Sequence, residues 1–195
     1  MKTLLLMRHG KSSWKDKSLK DKQRPLKKRG VEDAKEIGKL LLENELVPQV
    51  ILSSSALRAR QTAEQVTETC KYKGKISYLD EYYMAEPEIY LEKIKSLPDE
   101  IERVLVIGHN PGLEALLQMM DGKIESLPTG SLAYLSLSLD AWANISLDTA
   151  GELVGFWLPE KEEEVKKEKN MAKDKDKGKK DKKEKKEKKG KKDKK

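Results

Sequence analysis

The chain has few of the residues that bind metals or staple folds. It contains one cysteine, Cys70, and two histidines in 195 residues. One thiol cannot close an internal disulfide, and two histidines without a cysteine or acidic cluster make a poor zinc set, so no metal site is expected. Cys70 should pack on or beside a helix as a small hydrophobe. Long apolar runs are missing as well. No segment approaches the roughly 20 apolar residues of a membrane span. The apolar start, Met1 to Met7, is too short for a signal-peptide core and is cut by Arg8 and His9. The expectation is a soluble, cytoplasmic protein. A Walker-type loop and a GxGxxG turn are also absent, so neither a nucleotide nor a dinucleotide cofactor is indicated.

Excess charge of one sign is absent from most of the chain. Residues 160–195 hold 19 lysines against 11 acidic residues, whereas residues 1–159 hold 22 basic against 23 acidic ones. The sequence pI of 9.2 therefore belongs to the tail. The body gives no compositional sign of nucleic-acid binding. The tail's apolar residues are Val165, Met171 and Ala172, too few to offset the entropy of ordering. Two domains follow: a folded body over 1–159, and a disordered lysine-rich tail over 160–195, with helix extending over about 160–169. The tail reads as a solvated segment or as a weak, salt-sensitive handle for RNA, polyphosphate or an acidic partner, a role its interspersed acids weaken.

The body alternates buried-strand and helix patterns. Thr3–Met7, Val50–Leu52, Lys75–Leu79 and Arg103–Ile107 read as strands. Helical periodicity fills the intervals: Val31 to about Asn44, Arg58 to about Lys71, Pro87–Leu97 and Pro111–Met120. Leu132–Leu139 and Leu153–Leu158 follow as an edge pair. The alternation predicts an α/β fold, a three-layer α/β/α sandwich with a mostly parallel central sheet. The loops after the parallel strands would then fall along one edge, where ligands bind such sheets.

Both histidines end a strand, His9 in Met7-Arg8-His9-Gly10 and His109 in Ile107-Gly108-His109-Asn110-Pro111-Gly112. Arg8-His9-Gly10, with Ser12 and Trp14 after it, resembles the RHG signature of the histidine phosphatase superfamily. The run Ser53 to Ala63 is similar to that family's SSxxxRAxQTA segment, and the stretch around His109 to its second-histidine segment. The Asp21 to Gly30 segment and the short length resemble more narrowly the SixA-type phosphohistidine phosphatases. The resemblance spans nearly all of residues 1–158. It implies a phosphoglycerate mutase-like fold and a phosphatase that works without metal or cofactor through a phosphohistidine at His9.

The residues fit that chemistry. Arg8 and Arg58 present paired planar donors to phosphate oxygens, and a protonated His109 adds a third. The helix after Pro111 would bring its N-terminal N–H groups to the same anion. His9 must be neutral to attack phosphorus. Glu81 takes the place where many superfamily members carry a proton donor; otherwise it is a surface carboxylate or supports a site residue. Asp80 is its weaker neighbour. Ser12 is expected to touch phosphate through its hydroxyl. Arg24 and Arg29 either hold a phosphoprotein or second anion, or form a basic turn opening the helix at Gly30. Trp14 lines the pocket mouth or covers the edge of the core, with the second favoured. Arg60 is read as a surface residue, and Thr129 and Ser131 as neighbours of the site. Phosphohistidine on a protein is the leading substrate. A small phosphorylated metabolite, or phosphate recognition with little turnover, are the alternatives.

Overall fold

The computed structural model describes residues 1–122 and 126–159. The tail expected to be disordered, with its helical extension, lies outside the described residues. Six strands form one sheet: β1 (Lys2–Arg8), β2 (Val50–Ser54), β3 (Ile76–Leu79), β4 (Arg103–Gly108), β5 (Leu132–Leu137) and β6 (Gly151–Trp157). Among the described residues they alternate with four helices: α1 (Lys28–Glu43), α2 (Leu57–Cys70), α3 (Pro87–Lys95) and α4 (Gly112–Asp121). The strand order is β3-β2-β4-β1-β5-β6. The pairs β1–β4, β2–β4 and β2–β3 are parallel, and β1–β5 and β5–β6 are antiparallel. The sheet is thus mostly parallel, as expected, with the β5–β6 pair closing one end.

The alternation of side chains along each strand divides the core. Leu4 and Leu6 of β1, with Val104 and Val106 of β4, face Tyr90 and Ile94 of α3 and Leu113 and Leu116 of α4. Leu5 and Met7, with Leu105 and Ile107, face Ala34 and Ile37 of α1 and Ala59 and Val66 of α2. Both faces of the central strands are covered, which is why they read as unbroken apolar runs. Each fully buried leucine contributes about 2–3 kcal/mol through removal from water. Cys70 packs at 1% exposure in the last turn of α2, as a small hydrophobe. No helix among the described residues is long and apolar enough to cross a membrane.

Boundaries differ from the sequence reading where packing overrides local signals. α1 begins at Lys28, not Val31, because Gly30 lies inside its first turn, pressed against Gly10. β5 ends at Leu137, where its pairing with β1 stops at Lys2.

Candidate active site

The sheet register builds the site. Arg8 of β1 lies opposite Gly108 of β4. The residues that follow, His9 and His109, therefore leave the sheet side by side, with ring centroids 4.9 Å apart. β2 adjoins β4 with Ser53 opposite Ile107. This carries Ser54 to His109, where Oγ and Nε2 lie 2.8 Å apart. α2 starts three residues later and delivers Arg58. β5 runs antiparallel, so the turn before it reaches the same edge: Gly130 N–H donates to the carbonyls of Arg8 and His9 at 3.1 and 3.0 Å. A glycine must follow His9 because a Cβ on Gly10 would sit 2.6 Å from the Gly30 carbonyl oxygen.

Hydrogen bonds fix where the protons are. His9 Nδ1 lies 2.7 Å from the Gly10 carbonyl oxygen. A carbonyl only accepts, so Nδ1 carries the proton and Nε2 keeps its lone pair. Arg58 Nε–H donates to that lone pair at 3.2 Å. Burial lowers the His9 pKa to about 4; the Gly10 hydrogen bond opposes this, and Arg58, Arg8 and Arg24 reinforce it. Burial likewise lowers His109 to about 3, with His9, Arg58 and Arg8 adding to the effect and Asp21 opposing it. Both rings are neutral near pH 7. His9 thus meets the requirement for a nucleophile. His109 is neutral in this arrangement: its Nδ1 accepts from Arg58 Nη2 at 3.4 Å and its Nε2–H points to Ser54, so the cationic donor expected from the sequence requires a proton taken up together with the anion.

A pocket of about 530 Å³ brings together Arg8, His9, Ser12, Arg24, Arg58 and His109. Arg8 donates through Nη1 to the Leu127 carbonyl at 3.0 Å, and its buried Nε has no partner among the described residues. Arg24 is 6% exposed and each of its three nitrogens is hydrogen-bonded within the protein. Nε binds the Ser13 carbonyl at 3.0 Å, Nη1 binds Asp21 at 2.6 Å, and Nη2 binds Ser12 Oγ at 2.8 Å. It organises the loop after β1 instead of presenting a free fork to a second anion. Ser12 lines the pocket while accepting from Arg24. Thr129 also lines it, whereas Ser131 is buried with its hydroxyl on the Pro128 carbonyl at 2.6 Å.

Several expectations are corrected. Glu81 does not line the pocket: it sits on the short 3-10 turn Asp80–Tyr82, half exposed, 3.6 Å from Lys93 Nζ. Asp80 pairs with Lys22 at 2.7 Å and accepts from Ser55. Arg29 turns to Asp33 at 2.5 Å, along α1. Trp14 does not cover the core; it is 69% exposed at the pocket, with the Arg24 guanidinium 3.1 Å from its ring centroid. No α4 residue lines the pocket, and in the first turn of that helix Leu113 N–H is bound to the His109 carbonyl at 3.0 Å. Arg60 is exposed over Tyr78, as expected.

Sequence reasoning missed Asp21 and Tyr83. Asp21 accepts from Arg58 Nη2 at 3.0 Å and from Tyr83 Oη at 2.8 Å, and its backbone carbonyl accepts from Arg58 Nη1 at 2.8 Å. Desolvation works against its charge, but hydrogen bonds from Tyr83, Arg24 and Arg58 outweigh it and hold the carboxyl at about 2. Tyr83, two residues beyond Glu81, is what the segment after β3 brings to the pocket. Among the described residues, no group of three His, Cys, Asp or Glu side chains is placed to hold a metal ion.

Known proteins share this fold. The profile of the histidine phosphatase superfamily (branch 1) matches residues 4–86. A candidate phosphohistidine phosphatase SixA from Agrobacterium tumefaciens superposes with a TM-score of 0.69 at 31% identity, over 81% of this chain and 98% of that one. An uncharacterized protein of Mycobacterium tuberculosis is 32% identical over 164 residues, 78% of this chain and 99% of its own length. An uncharacterized chloroplastic protein of Arabidopsis thaliana is 32% identical over 149 residues, 71% of this chain and 68% of its own. The chain belongs to the histidine phosphatase superfamily and is a phosphatase of that family.

Proposed function

We propose that the protein removes the phosphoryl group from phosphohistidine on a partner protein, through a phosphohistidine intermediate on His9 and without a cofactor. The observation that carries this reading is a neutral nucleophile in a pocket whose one carboxyl, among the described residues, is the firmly ionised Asp21. A phosphomonoester releases an alkoxide and benefits strongly from a proton donor. A phosphohistidine does not have the same need. Its imidazole, protonated from solvent at the far nitrogen, leaves as a neutral ring.

In the first step His9 Nε2 forms a bond to phosphorus as the substrate's P–N bond breaks. Arg58 passes its donors from His9 and Asp21 to the phosphoryl oxygens, and Arg8 holds a second oxygen. The negative phosphoryl group raises the pKa of neighbouring His109, which then takes a proton and donates to it. Nδ1–H stays on Gly10, so phosphorylated His9 is a phosphoimidazolium. Water attacks that phosphorus, inorganic phosphate departs, and His9 returns to its neutral Nδ1–H form. Exposed Trp14 and Met84, 69% and 52% accessible, flank the pocket and suit a protein surface better than a small metabolite.

The test compares a phosphohistidine protein and phosphoramidate with a panel of phosphomonoesters, with His9→Ala as control. The P–N substrates should lead in kcat/KM by at least roughly 100-fold, the lower end of what a general acid contributes. Preference for a monoester would move the substrate to phosphorylated metabolites. Tight phosphate binding without turnover would make the protein a recognition module.

A further inference from the structure

Thr62 is fully buried in α2, one turn after Arg58. Its hydroxyl donates to the Arg58 carbonyl at 2.7 Å, a common back-bond for a helical threonine. The other side of that hydroxyl is less ordinary. It accepts from Gly10 N–H at 3.0 Å, across 52 residues of sequence. Gly10 has two backbone polar groups and both are thereby engaged, because its carbonyl accepts from His9 Nδ1 at 2.7 Å. The ring closes when Arg58 Nε–H reaches His9 Nε2 at 3.2 Å. Four hydrogen bonds run His9 to Gly10 to Thr62 to Arg58 and back to His9.

We propose that Thr62 is the positioning residue for the nucleophile, locking the His9–Gly10 turn that follows β1 to α2. The inference rests on His9 being the nucleophile of the reading above. The Gly10 carbonyl fixes the proton on Nδ1, and Thr62 holds the Gly10 N–H, so the glycine that carries that carbonyl is anchored to α2. Without the hydroxyl, Gly10 N–H is a buried donor with no partner, and the turn shifts to find one. Arg58 loses little, because its carbonyl remains in the helical hydrogen-bond ladder. The effect therefore falls on nucleophile alignment and not on phosphate capture. Serine keeps the hydroxyl; valine keeps the shape and loses it.

The test measures phosphoramidate hydrolysis by Thr62→Val, Thr62→Ala and Thr62→Ser, with imidazole nitrogen NMR on the folded proteins. Thr62→Val should lose roughly 10- to 100-fold in kcat, the scale of a small misplacement of reacting groups, with KM within about twofold. Thr62→Ser should recover most of the rate. The His9 ring should keep its Nδ1–H form in the serine variant and lose that fixed form in the valine variant. If the valine variant does not fold, the alanine and serine variants carry the same comparison. Wild-type kcat in a folded variant without the hydroxyl overturns the proposal, as does a serine variant as slow as the others. Turnover by His9→Ala would instead overturn the nucleophile assignment, leaving the two failures distinct.

Discussion

Acid should destabilise this fold through its two histidines. Unfolded histidine titrates near 6.5, whereas His9 and His109 are held at about 4 and about 3. A depressed folded-state pKa means that the contribution to stability is fully present above about 6.5. It is lost as pH falls toward 4 and below, because the unfolded chain binds protons that the native state refuses. At pH 4.5 the native rings remain mainly neutral while both unfolded histidines are charged. Each then costs about 2.5 kcal/mol relative to pH 7, roughly 5 kcal/mol together. That is a large fraction of the 5–15 kcal/mol typical of a domain. Urea unfolding of the wild type and of the His9→Gln/His109→Gln double variant, at pH values from 7 to 4.5, isolates the effect. Carboxylates common to both proteins cancel in the difference. The wild-type curve should fall more steeply by that amount. Parallel curves, or native imidazole resonances titrating near pH 6.5, would refute the argument that burial keeps both rings neutral.

Two further outcomes follow from the placement of side chains. Glu81→Gln should leave kcat/KM for phosphoramidate within about twofold, since Glu81 pairs with Lys93 outside the pocket; a loss of roughly 100-fold would restore it as the acid. Replacing Trp14 and Met84 together by alanine should raise KM for a phosphohistidine protein by roughly tenfold, the scale of 1.4 kcal/mol of apolar contact, and leave phosphoramidate kinetics unchanged. An equal effect on both substrates would place those side chains in the chemistry instead of at the partner's surface.

The placement of the two histidines was legible in the sequence for a physical reason. A strand buried on both faces is an apolar run, and the polar residues that end it must lie at the sheet edge. Arg8-His9 and Gly108-His109 are such endings, and the parallel register of β1 and β4 sets them side by side. Arg58 was legible because it opens a helix directly after β2. Asp21 was not. It lies in a polar loop without periodicity, and only the fold shows that the Asp21–Gln23 turn delivers it to Arg24, Arg58 and Tyr83. Glu81 and Tyr83 illustrate the same limit at closer range. They are two residues apart in an irregular segment where direction does not follow from spacing, and the phenol, not the carboxyl, reaches the pocket. Trp14 could not be placed from sequence because its partner is the side chain of Arg24, ten residues on.

The central claim is that His9 Nε2 accepts the phosphoryl group. Rapid quenching of the protein with radiolabelled phosphoramidate, followed by peptide mapping, tests it directly. The account predicts an acid-labile, base-stable label on His9 at Nε2, absent from His9→Ala. Label on His109 or on a serine of the pocket, or undiminished turnover by His9→Ala, would contradict it.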